Sequence, residues 1–157
     1  MIRMRDVLSE IQKLLKESGI SYKKIEHKPV YTSEQAATVR GSKLERGAKA
    51  LVVKADGKFY MLVLSSAKKL DSKKAKAILK AKGFRFANKE ELMKLTSCKP
   101  GAVPPFGNLF NLEVYLDKSL LNQEIIDFNA GRNDVSVEMR LKDYIKIVKP
   151  TIDEFSA

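Results

Sequence analysis

Two features of this 157-residue chain could do chemistry. The first is Lys49, in Gly47-Ala48-Lys49-Ala50-Leu51-Val52-Val53. Strand alternation puts Lys49, Leu51 and Val53 on one face and Ala50 and Val52 on the other. An ammonium there either snorkels to solvent at the sheet rim or grips a phosphate or ribose oxygen as a point charge. The second feature is the segment from Cys98 to Asn108, which holds three prolines and two glycines. Such a segment is a stiff, shaped loop. Gly101 would let a ligand approach the backbone, and loop N–H groups can stabilise the oxyanion formed when water attacks an ester. The same composition also suits a plain surface turn.

Other candidates have simpler readings beside their chemical ones. Lys68, Lys69, Lys73, Lys74, Lys76, Lys80 and Lys82 form a cluster opposed only by Asp71. On a helix beginning near Asp71, Lys73, Lys76 and Lys80 are spaced to share a face. That face is either a phosphate-tracking surface or a solvated one. A nucleophile–base pair of Cys98 and His27 lacks an orienting third group, and Cys98 also suits a buried small residue. Thr32 and Ser33 are placed as helix caps, and Asn129 to Asn133 as a polar turn in which Gly131 needs a positive φ.

Composition narrows the classes. A net charge of +11 favours polyanionic partners, although a lysine-rich surface also serves solubility. One cysteine and one histidine give no internal disulfide and no recognisable zinc site, and no cofactor is expected. No apolar run approaches the ~20 residues of a membrane span, and Met1 to Asp6 has no signal-peptide character. A cytoplasmic protein without a membrane partner is expected.

The elements that must position these residues follow from pattern. Met4, Val7, Leu8, Ile11, Leu14 and Leu15 form a helical stripe ended by Gly19. Ser21 to Glu26 reads as a strand, and Thr32-Ser33-Glu34-Gln35 as a capping box for a helix through Val39, stopped at Gly41. Ala48 to Lys54 and Lys58 to Leu64 flank Ala55-Asp56-Gly57 as a hairpin. Asp71 caps a helix reaching towards Gly83, and Asn88 one through Leu95. Glu113 to Leu116, Gln123 to Phe128 and Asp134 to Glu138 read as strands, with Asp117 to Leu121 as a turn or helical step. Leu141 to Val148 closes as a helix. No linker or repeat divides residues 1–157, so a single α+β (mixed α/β) domain is expected.

In order and spacing these segments resemble the YbaK/ProX family, which includes the insertion domain of bacterial prolyl-tRNA synthetases. His27-Lys28-Pro29-Val30-Tyr31-Thr32 looks like the family's His-x-Pro-x-x-Thr entry to a helix. Ala48 to Val53 matches the strand whose functional lysine falls on Lys49, and Gly101 to Pro105 matches its Gly-x-x-x-Pro loop. Phe128-Asn129-Ala130-Gly131, a strand and Asp143-Tyr144 agree with its C-terminal end. The resemblance spans about Leu8 to Ile147.

It implies a barrel-like, mostly antiparallel sheet surrounded by helices. It also implies trans-editing: hydrolysis of the ester of a mischarged tRNA, with Cys- or Ala-tRNA(Pro) as the expected substrate. The implied catalytic positions are Lys49 and Gly101. Substrate-binding positions are Thr32, Lys49, Gly101, Ala102, Val103, Pro105, Asn129 and Gly131. Lys69, Lys73, Lys76 and Lys80 would contact tRNA phosphates. Water attacks, the substrate's own groups assist, and no side chain is assigned as general base. Some alanine-specific members carry a histidine in the C-terminal turn, where this chain has Asn129. The partners implied are aminoacylated tRNA and a synthetase. The alternative is a non-catalytic tRNA- or synthetase-binding module of the same fold.

Overall fold

The structure, a computed structural model, describes residues 5–157. Met4 therefore lies outside the described residues. The apolar stripe that follows it forms α1 (Val7–Glu17), capped by Asp6 and burying Val7, Ile11 and Leu15. After β1 (Tyr22–Glu26), Thr32 caps α2 (Ser33–Arg40) by accepting from the Gln35 N–H, and Gly41 ends it in a left-handed conformation. The reciprocal arm differs from a capping box: Gln35 Oε1 accepts from the Tyr31 N–H at 2.9 Å, one residue earlier than expected.

β2 (Ala48–Ala55) and β3 (Lys58–Ser65) form the expected hairpin. Asp56 and Gly57 both take positive φ, the backbone a two-residue turn needs to match strand twist. α3 (Ser72–Ile78) is shorter than the reading to Gly83. Leu79 already caps it, and Lys80 turns left-handed at φ 52°. The chain then forms β4 (Phe84–Phe86), which periodicity cannot reveal in three residues. α4 (Lys89–Thr96) begins with a complete Asn88/Glu91 capping box.

β5 (Glu113–Asp117), β6 (Ile125–Arg132), β7 (Val135–Arg140), α5 (Leu141–Val148) and β8 (Thr151–Asp153) complete the chain. Most of the polar segment 129–133 read as a turn is instead strand: β6 runs on through Asn129 to Arg132, and the turn falls at Asn133 and Asp134. A bulge between Asn129 and Arg132 absorbs the positive φ of Gly131, so pairing with β7 outlasts the turn composition.

The strands form two sheets. One is antiparallel, in the order β1-β7-β6. The other has the order β4-β2-β3-β5-β8, in which β3 with β5 and β5 with β8 are parallel. A parallel bridge from Gly47 to Asp127 links the sheets. The mixed α+β class holds, but the barrel-like expectation needs correction: both sheets are open. β8 and β4 are short edge strands, and neither finds a partner that would close the second sheet.

The hairpin is buried on both faces, as its near-continuous apolar run requires. One face joins a core in which Phe106 meets Phe128 and Tyr144 edge to face. On the other, Val53, Leu62 and Leu64 pack beneath Ala75 of α3 and against Phe155. No helix among the described residues is long and apolar enough to cross a membrane.

Candidate active site

β4 pairs only with Val53, Lys54 and Ala55. Among the described residues the Ala48–Leu51 half of β2 therefore has no strand on that side, and these residues line a cleft of about 230 Å³. Its other walls are Val30 to Ser33, Ala36 and Arg40 at α2, Gly101 and Val103 in the proline-rich loop, and Phe128 and Asn129 of β6. The cleft thus joins Thr32, Lys49, Gly101, Val103 and Asn129. Ala102, Pro105 and Gly131 do not line it. Their work is behind the wall.

That work is visible in the loop's carbonyls. Ala102 O accepts from the Gly131 N–H at 2.9 Å, Gly101 O from Asn129 Nδ2 at 2.8 Å, and Pro105 O from the buried Tyr144 hydroxyl at 2.6 Å. A Cβ on Gly131 would stand 2.8 Å from Val7 Cβ, so its bareness also admits α1. Gly101, at φ +83°, has open space where a Cβ would stand. Backbone conformation, not crowding, therefore favours glycine there.

The loop's N–H groups differ in availability. The Ala102 N–H is spent on Lys99 O. Among the described residues the Gly101 and Val103 N–H groups have no hydrogen-bond partner. The Ala102–Val103 peptide is planar and trans. With its carbonyl fixed on Gly131, its N–H points away from β6.

Lys49 is half-buried. Its Nζ donates to the Lys68 carbonyl. Burial lowers its pKa below the ordinary lysine value, with Glu34 opposing and Lys69 adding to the shift. The bond to Lys68 puts the start of the lysine cluster beside Lys49. Lys73 and Lys76 lie on exposed positions of α3, while Lys80 follows the helix end rather than sharing its face.

Sequence reasoning missed Arg40. Its side chain is 5% exposed and meets Asp127, 1% exposed, at 2.7 Å. It also donates to Asn129 Oδ1 and Ser136 Oγ. Burial lowers its pKa and Asp127 raises it. The available signal was a carboxylate inside the apolar run Ile125-Ile126-Asp127-Phe128, which calls for a buried cation or a set of N–H donors. Tyr31 was missed too: it sits at the cleft's lip, 77% exposed.

The Cys98/His27 pair is not assembled. Cys98 is buried, bonds the Thr96 carbonyl, and has its thiol pKa raised by burial. His27 meets Lys28 O and Ser136 Oγ. Among the described residues no His, Cys, Asp or Glu cluster could hold a metal ion.

A cleft walled by a lysine-bearing strand and a pinned glycine–proline loop defines a class, and comparison with known proteins agrees. The aminoacyl-tRNA editing domain family matches residues 27–147, and the chain belongs to it, within the YbaK/ProX group. The multifunctional Ser/Thr-tRNA deacylase ProXp-y of Escherichia coli K12 is 31% identical over 147 residues, covering 90% of this chain and 88% of that one. The prolyl-tRNA editing protein ProX of Acetoanaerobium sticklandii is 31% identical over 149 residues, covering 91% of each. A solved structure of a candidate trans-editing enzyme for prolyl-tRNA synthetase superposes with TM-score 0.87 at 24% identity over 99% of both chains, a likeness of fold.

Proposed function

We propose that residues 1–157 act as one trans-editing deacylase, cleaving the ester of a mischarged tRNA(Pro) that carries Cys or Ala. The observation that carries this reading is the convergence of Lys49 and the Gly101 loop on one cleft. Family membership and the deacylase relatives support it.

In this reading the aminoacyl group enters among Val30, Ala36, Ala48, Val103 and Phe128, a wall that suits a small side chain. Water adds to the ester carbonyl, and the partnerless Gly101 and Val103 N–H groups meet the developing oxyanion. The carbon–oxygen bond to the ribose then breaks. The water's proton passes to the leaving ribose oxygen, releasing the free amino acid and tRNA. An aminoacyl ester is already activated, so positioning and oxyanion donors suffice without a side-chain nucleophile. Lys49 grips the terminal nucleotide as an ammonium. Tyr31 offers its ring to the terminal adenine, a stacking contact worth about 1–3 kcal/mol. Lys69, Lys73, Lys76 and Lys80 carry the acceptor-stem phosphates, giving affinity without sequence discrimination. A synthetase is the expected second partner, and the cytoplasm the expected compartment.

The test is ester loss from tRNAs charged with Ala, Cys, Ser or Thr. Wild type should empty Cys- or Ala-tRNA(Pro), and Lys49→Ala should lose about 10²-fold in kcat/KM, the scale of a misplaced substrate. No loss above buffer on any of the four charges would end the reading. Hydrolysis of Ser- or Thr-tRNA alone would reassign the cargo.

A further inference from the structure

Arg40 closes α2, the helix whose start forms the cleft's rim, and its guanidinium lies among side chains of β6 and β7. Nε donates to Ser136 Oγ at 2.8 Å, Nη1 to Asp127 Oδ1 at 2.7 Å and Nη2 to Asn129 Oδ1 at 2.9 Å. The planar fork fixes these acceptors relative to one another. Its bond to Asn129 also decides which way that amide faces. A flipped amide would set NH₂ against guanidinium N–H, donor against donor. With Oδ1 held by Arg40, Nδ2 is left for the Gly101 carbonyl, which it meets at 2.8 Å. Gly101 sits at φ +83° with no side chain to brace it. Its carbonyl is therefore held through Asn129.

We propose that Arg40 is a positioning residue of the editing site: it orients the Asn129 amide, and Asn129 holds the Gly101 peptide and with it the loop that faces the ester. This rests on the function proposed above. Asn129 Oδ1 faces Arg40, with Ser136 Oγ at 3.4 Å. Nδ2 serves Gly101, so this wall of the cleft acts by holding the loop.

Three variants separate this role from a direct contact or a general loss of structure. Arg40→Lys keeps the charge beside Asp127 but loses the fork. Asn129→Ala leaves the Arg40–Asp127 pair intact. Asn129→Asp keeps an acceptor for Arg40 and removes the donor to Gly101. In single-turnover deacylation each should lower the rate by about 10²-fold, the scale of a roughly 1 Å misplacement, with uncharged-tRNA affinity unchanged. The Arg40→Lys/Asn129→Ala double variant should be no slower than its slower parent, because both act through one contact.

Hydrogen exchange across residues 98–107 should quicken in all three variants, a readout independent of turnover. Multiplicative losses in the double variant, weakened tRNA binding at an unchanged rate, or unaltered exchange would each overturn the role. A wild type inert on every mischarged tRNA would sink the functional reading alone, and exchange would still decide the positioning.

Discussion

Among the described residues two aspartates are wholly buried, and they are satisfied in opposite ways. Asp117, at the end of β5, takes its bonds from nearby backbone. Oδ1 accepts from the Phe155 and Ser156 N–H groups at 2.6 and 3.0 Å, and Oδ2 from the Ser119 N–H at 2.9 Å. These bonds dock the C-terminal segment whose Phe155 fills the smaller core. Asp127, on β6, takes its bond from a side chain of another element, Arg40. Among the described residues its Oδ2 has no hydrogen-bond partner, with Arg46 Nε at 3.9 Å. The first arrangement is complete in itself and serves the fold. The second passes through Arg40 and Asn129 to Gly101 at the cleft. Where a buried charge is answered by backbone it pins a segment; where it is answered by a long side chain, it can transmit position.

The sharpest way to break the contrast is Asp127→Ala. It strands the Arg40 guanidinium and should cost about 3–5 kcal/mol of stability, with deacylation lost beyond the unfolded fraction. Urea unfolding and single-turnover rates at low temperature measure both. Equal losses in the two readouts would make Asp127 as purely structural as Asp117.

Asp117→Asn should cost about 1.5–3 kcal/mol, the range for hydrogen bonds to a charged group, while the folded protein keeps its turnover. This carboxyl also has a pH signature. Burial pushes its pKa up, but the Phe155 and Ser119 bonds outweigh it and leave it below the ordinary 3.8. A depressed folded-state pKa contributes stability above the unfolded value, and that stability is lost as pH falls through the folded one. Wild-type melting temperature should therefore drop below about pH 4 more steeply than that of Asp117→Asn. Parallel curves would remove Asp117 from the acid response.

Gly101→Ala should cost about 1–2 kcal/mol, the penalty of a left-handed conformation for a residue with a Cβ. Turnover should fall further than stability, because the cleft-lining loop carries the strain. Calorimetry beside deacylation checks this, and a loss of stability alone would place Gly101 with the structural residues. The smallest stability effect, within about 0.5 kcal/mol, belongs to Lys49→Arg on the cleft wall. Its readout is pH. Burial lowers the Lys49 pKa, so the wild-type rate should decline at a pH below the ordinary 10.5. Arginine stays charged there, so a wild-type decline that persists in the variant would assign it to another group.

Much of the architecture was legible because it is local. The Asn88 cap, the Asp56-Gly57 hairpin and the Leu141–Val148 helix depend on neighbours in the chain, and all three stand as read. Lys49 and the Gly101 loop drew notice as a lysine in an apolar strand and a glycine among prolines, and the family resemblance is what singled them out from the bland alternatives. Failures came where distant partners decide. β4 exists because Val53 to Ala55 offer an edge. The Asn129–Arg132 strand exists because β7 continues to pair with it, against turn composition.

The sequence by itself determined where the helices start, the hairpin and the stiff loop, since caps, turns and alternation act over a few residues, and its likeness to a family pointed to one lysine and one glycine. Only the tertiary structure decided that β4 stops short and leaves a cleft, that Arg40 and Asp127 meet beneath it, and that Asn129 faces Gly101. Those outcomes depend on which distant backbone edges and buried charges find each other, and no local pattern encodes that pairing.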